Sequence, residues 1–276
     1  MLNCTPLRPP KIVAIAQDTY LKPTVPFADP THLPGLPTPK YGQDITFGYG
    51  RPAAHKQDVG KTPDELAPLM RKLITIFAAG DRSGMANRLV EKFLSRQGKV
   101  TYFDDNDLNA AAVKHQNIQY FIKAALGAPG GQLPPAGKKR IHQALKDAGW
   151  DIAKLTAPAD LGVPAFNRGS AKARSEDFNN GLGLMINGVQ YVYVVAQGYA
   201  YDEKEGMYWI ALKYIFYDVF GLDDDDLEEF GASSTGTFHT DAGVGITAWW
   251  QLQHQHGYAP LVTRIVVERE FEVPAK

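Results

Sequence analysis

Cysteine is almost missing from this chain. Cys4 is the only one in 276 residues, so no disulfide can form within the chain and a cysteine-rich metal cluster is excluded. Neither sign of charge is in excess. The 29 Lys and Arg face 30 Asp and Glu, a formal net charge of −1, which argues against a nucleic-acid partner gripped by a basic surface. No apolar run approaches the roughly 20 residues that cross a bilayer. The longest, Tyr208 to Phe220, contains Lys213 and Asp218 and reads as a buried strand, so no transmembrane segment is expected. A basic start followed by an apolar leader is also lacking. The expected location is the cytoplasm of the producing cell, and any transfer into a target cell needs a machine that works without a signal peptide.

Motifs are missing as well. There is no Gly-x-Ser-x-Gly nucleophile elbow, since Gly231-Ala-Ser-Ser-Thr-Gly236 has a different spacing. No phosphate-binding loop, dinucleotide fingerprint or His-Glu-x-x-His helix occurs. These gaps weaken lipase, ATPase, dehydrogenase and zinc-protease readings, and no cofactor is expected. Acid–base hydrolysis and non-enzymatic binding stay open.

What is present divides the chain into three stretches. Residues 1–68 hold 12 of the 19 prolines; proline fixes φ and lacks an N–H, so this part reads as an extended arm. Lys11 to Ala16 within it is apolar enough to add an edge strand. Residues 69–160 read as helical. Thr62-Pro63-Asp64-Glu65 is a helix start, with a capping residue, a proline in the first turn and early acidic residues. Further helices are predicted from Ser83, from Asp105 or Asp107 through Ala125, and from Pro134 to Gly149.

Residues 161–276 read as a sheet holding two short helices. Asn187-Gly188 between apolar runs predicts a hairpin, and Asp202 to Gly206 predicts a second turn into Met207 to Phe220. Asp223 predicts the cap of an acidic helix, Asp241 the cap of a helix over Gly243 to His256, and Leu261 to Val273 a final strand. The fold class is therefore α+β: a proline-rich arm and helical section packed with a mainly antiparallel sheet, residues 69–276 forming one compact unit.

Chemically capable side chains concentrate near the second of those helices. His239 and Asp241 sit two apart in a glycine-flanked segment, where a carboxylate can set the pKa of a general base; local capping explains the same pair structurally. Trp250 and His254 share one helix face, and Gln251 and His256 add hydrogen-bonding groups; the tryptophan pair reads either as a platform for a sugar or lipid headgroup or as core packing against the strands. His254 and His256 point apart on a helix, so no metal site is expected. Asp223 to Glu229 lacks the spacing of a calcium loop and reads as a solvated helix start.

Two stretches resemble a known family. Gly80-Asp-Arg-Ser-Gly-Met-Ala-Asn-Arg-Leu89 with Leu108 to Ile118, and Tyr217 to Leu222 with Ala248 to Pro260, are similar to an uncharacterised proteobacterial domain family that occurs near type VI secretion genes. The resemblance implies an antibacterial effector, a toxin of bacterial competition; if it is an enzyme, the expected reaction is acid–base hydrolysis of a cell-envelope component. In that role His239 and Asp241 are the catalytic candidates and Trp250, Gln251, His254 and His256 the substrate-binding ones. The alternative it leaves is a non-enzymatic adaptor, chaperone or immunity protein. The expected partner is a secretion-system component or a cognate immunity or adaptor protein.

Overall fold

The computed structural model describes residues 4–18, 39–51, 60–80, 82–95, 98–129, 139–159, 161–166, 180–232 and 240–276. Five strands form one sheet: β1 (Thr5–Gln17), β2 (Thr101–Phe103), β3 (Tyr191–Asp202), β4 (Met207–Phe220) and β5 (Leu261–Pro274). Their spatial order is β1-β3-β4-β5-β2. All neighbours are antiparallel except the short β2, which runs parallel to β5. Eight α-helices accompany them among the described residues: α1 (Pro63–Phe77), α2 (Ser83–Leu94), α3 (Asn106–Lys114), α4 (Gln116–Leu126), α5 (Ile141–Asp147), α6 (Leu182–Met185), α7 (Asp224–Phe230) and α8 (Thr240–Gln255). The protein is α+β with a mainly antiparallel sheet. None of these helices is long and apolar enough to cross a membrane.

β4 lies at the centre of the sheet, and its period-two alternation decides where the two cores form. Tyr208, Ile210, Leu212, Tyr214 and Phe216 face the helices, where Phe121 of α4 meets Phe216 edge-on at 5.4 Å. Ile215, Tyr217 and Val219 face the other way, into a smaller cluster with Tyr41, Tyr102, Tyr191 and Tyr193. At the far end, Asp202 Oδ1 accepts from the N–H groups of Lys204 and Glu205, which closes the β3–β4 turn as its composition predicts.

Several helix signals act as expected. Thr62 and Glu65 form a reciprocal capping box on α1, and Asp223 forms one with Asp226 on α7. The long helix expected from Asp105 is instead two, because His115 leaves helical geometry and its Nδ1 accepts from the N–H of Asn117 to start α4. The Asn187-Gly188 hairpin does not form. Leu182–Met185 is a helical turn, and neither Asn187 nor Gly188 has the positive φ that a type I′ turn requires. Only the second flank is rich in β-branched and aromatic residues, so only that flank becomes a strand.

α1 and α8 cross at close range because Gly245 has no side chain. A Cβ there would lie 2.7 Å from both Cγ and Cδ2 of Leu73, which is fully buried. Gly245→Ala is expected to destabilise the protein by about 1–3 kcal/mol despite the better helix propensity of alanine. Combined with Leu73→Ala, the loss measured by urea unfolding should be smaller than the sum of the single losses; strict additivity would remove this contact from the account.

Candidate functional site

A recess of about 470 Å³ opens where β4 runs out of the sheet and the chain turns into α7. Its position follows from the strand's alternation. Asp218 lies on the helix-facing side of β4, one step beyond Phe216, where the helices no longer cover the strand completely. The carboxyl is nevertheless buried, with the residue 6% exposed. The backbone N–H groups of Val219 and Asn187 approach it. Burial, reinforced by the negative charges of Asp44 and Asp18, holds its pKa far above the ordinary carboxylate range.

Asp44 reaches the recess from the N-terminal region. Its Oδ2 accepts a 2.6 Å hydrogen bond from Gln190 Nε2, whose Oε1 accepts from the N–H of Gly42 at 2.7 Å. Close approach is possible because residue 221 is glycine: a Cβ there would sit 2.3 Å from the carbonyl oxygen of Asp44. Desolvation raises the Asp44 carboxyl to about 6, with Asp223 and Asp18 adding repulsion and Gln190 opposing it. Asp226, the inward partner of the α7 capping box, rises to about 7 for the same first reason, with Asp44 next. Asp18, at the end of β1, completes the acidic wall and is 5% exposed.

Opposite lies an apolar wall of Phe77, Phe230, Ile246 and the stacked pair Phe220–Trp249, whose ring centroids are 4.2 Å apart. Trp249 is buried, and its Nε1–H has no hydrogen-bond partner among the described residues. Among the described residues no Lys, Arg or His lines the recess. Among the described residues, no three His, Cys, Asp or Glu side chains converge to hold a metal ion. The carboxyls surround a space instead of meeting at a point.

Of the residues singled out in the sequence, those that the structure describes do not line the recess. His239 falls outside the described residues. Asp241 is in the first turn of α8, its side chain 56% exposed and 3.6 Å from Lys72. Trp250 is buried and donates from Nε1 to Asp224 Oδ1 at 3.1 Å, with the Arg51 guanidinium 5.8 Å above its ring. His254 is buried beside it, and its Nε2 donates to the Leu222 carbonyl at 2.7 Å; burial lowers its pKa. Gln251 is buried within α8. His256 Nε2 donates to the Lys61 carbonyl at 3.1 Å. α8 therefore brings Trp250 and His254 together, as their four-residue spacing requires, but it gives the recess Ile246 and Trp249.

Asp218, Asp44, Asp18 and Gln190 were not identified from sequence as site residues. The one available signal was Asp218, a charge inside an apolar strand, which must be paired or placed at a special location. Asp223 does cap its helix and Asp224, Asp225, Glu228 and Glu229 are exposed, whereas Asp226 is only partly exposed and turned to the recess. Comparison of the chain with protein-family models, with curated proteins and with solved structures finds no match.

A raised carboxyl pKa means that the folded chain keeps protons the unfolded chain has released. The stability these groups contribute is complete below the unfolded value of 3.8 and is lost as pH rises through about 6 for Asp44 and about 7 for Asp226. Buried His142 and His254 act in the opposite direction, but only below their ordinary value of 6.5. Between about pH 6.5 and 8.5 the unfolding free energy is therefore expected to fall, by about 1 kcal/mol from these two groups. Asp226→Asn keeps the capping acceptor and should flatten that slope. Stability constant across the window, as read by urea unfolding, would contradict the assignment.

Proposed function

We propose that the protein is an acid–base hydrolase, that the carboxylate-lined recess is its active site, and that its substrate is a glycan of the cell envelope. The observation that supports this most is Asp218, a carboxyl buried in the wall of an accessible recess that no basic side chain among the described residues lines. Two carboxyls with different environments are the standard means of cleaving a glycosidic bond without a metal or a covalent cofactor. Asp218, its pKa held well above the ordinary carboxylate range by burial, acts as the general acid on the leaving oxygen. Asp44, titrating near 6 and held by Gln190, is ionised at neutral pH and acts as the base that activates water. Asp226 sets the electrostatics of the pair through its charge.

The biological setting we infer is that of an antibacterial effector of type VI secretion. It rests on the resemblance of residues 80–89, 108–118, 217–222 and 248–260 alone. An adaptor that grips a partner with the N-terminal arm is less favoured, because Thr5–Gln17 of that arm is already engaged as an edge strand against β3.

Asp218→Asn and Asp44→Asn are each expected to lower the release of reducing ends from purified envelope glycan by about 100-fold or more, with the circular dichroism spectrum preserved. Expression in a test bacterium with an added export signal should arrest growth, and Asp218→Asn should abolish the arrest. Full activity in both substituted proteins would move the chemistry away from the recess.

A further inference from the structure

We infer that the outer edge of β5 docks an extended segment of a partner protein, one that carries a basic side chain at every second position and apolar side chains between. The inference is independent of the recess and of the hydrolase reading.

The backbone defines the place. β4 pairs with β5 along its whole length without a register shift, but on the other side β2 covers only Leu261, Val262 and Thr263. Successive residues of a strand turn their N–H and C=O groups to opposite edges. The Val266 N–H donates to Asn109 Oδ1 of α3 at 2.7 Å, away from β4. Glu268, Glu270 and Glu272 share its parity and therefore present their backbone groups outward as well. One of these is met from within the strand, since the Glu268 carbonyl accepts from Arg269 Nη1 at 2.8 Å. Among the described residues, no strand pairs with this edge from Glu268 to Glu272.

The two edges of the sheet are built differently. β1 carries Pro6, Pro9 and Pro10 and two register shifts, features that stop an edge from adding another strand. β5 has no register shift against β4 and no proline before Pro274. A regular open edge is a template for strand addition, in which main-chain bonds supply affinity and alternate side chains choose the partner.

The side chains specify the occupant. Glu268, Glu270 and Glu272 stand exposed on one face of β5, while Phe271 lies between them on the other, half-buried against the main core. Glu268 is already paired with Lys213 of β4 at 3.5 Å; Glu270 and Glu272 have no such cation among the described residues. A strand laid along this edge sets its own residues beside these in alternation. Those next to the glutamates are lysine or arginine, and those next to Phe271 are apolar. A second copy of the chain does not fit. Antiparallel pairing of two β5 edges about a two-fold axis within the open stretch sets glutamate against glutamate.

The test uses the full chain and three labelled peptides: alternating lysine and valine, the same residues segregated into two blocks, and alternating glutamate and valine. Fluorescence anisotropy measures affinity, and amide hydrogen exchange detects the added strand. The alternating lysine peptide is expected to bind about tenfold tighter than the block peptide and to slow exchange at the Glu270 and Glu272 amides. Glu270→Pro removes an outward N–H without touching a bond to β4, so it should abolish both effects with the circular dichroism spectrum preserved. Should that variant lose its fold, Glu270→Lys combined with Glu272→Lys decides, because the preference should then pass to the alternating glutamate peptide. Equal binding of the alternating and block lysine peptides overturns the inference, since that is charge attraction without a strand. Binding that leaves the β5 amides unprotected overturns it too, as does binding of none of the peptides. Protection of the same amides without peptide, rising with protein concentration, assigns the edge to a second copy and overturns it as well.

Discussion

Gln253 holds the site together. It is fully buried in α8, and its Nε2 lies within 2.7 Å of the carbonyl oxygens of both Asp44 and Thr46 and 3.0 Å from that of Leu222. Its Oε1 accepts from the Leu222 N–H at 3.0 Å. One side chain thus ties the N-terminal segment, the exit of β4 and a helix into one place. Gln190 performs the matching task from β3's approach, bonding the Asp44 carboxylate and the Gly42 N–H. An amide has both donors and acceptors and carries no charge, so it can satisfy several backbone groups in a dry interior at little electrostatic cost. Removing Gln253 would leave interior carbonyls without that donor, and removing Gln190 would leave the Asp44 carboxylate without its amide donor and the Gly42 N–H without its acceptor.

The same segment also closes α8. The N–H groups of Gly48, Gly50 and Arg51 point at the carbonyls of Gln253, Gln255 and His254, which a helix end leaves without internal partners. Arg51 then pairs with Asp224 and sits over Trp250. The aromatic and imidazole groups that look like a binding face in the sequence are accounted for by this clamp. They fix the chain that delivers Asp44, so their contribution to the recess is one of position.

That division explains what could be seen in the sequence. β3 to β5, the caps at Thr62 and Asp223, and the α+β class are legible because alternation and capping act over a few residues. Helical spacing likewise shows that Trp250 and His254 share a face, but not what covers that face. The recess itself joins Asp44 to Gln190, 146 residues apart, and to β4. No local pattern encodes such a meeting. Asp218 was visible as an anomaly in an apolar strand; its partners across the recess were not. The failed hairpin at Asn187 shows the converse case, in which a strong local signal loses because one flank prefers a helical turn packed into the core.

The acidic recess is hard to account for as a stabilising device. Desolvation disfavours each ionised carboxyl, and the neighbouring carboxyls disfavour it further. A chain selected only for stability would place amides or apolar groups of similar size there, since a buried charge without a counter-charge is among the more destabilising features a fold can carry. Asp226 could cap α7 equally well as an amide, and Asp218 could be an apolar residue like its neighbours along β4. Among the described residues, their acidity has no structural use that an uncharged side chain would not serve, which is why the reading of the recess as a site starts from them.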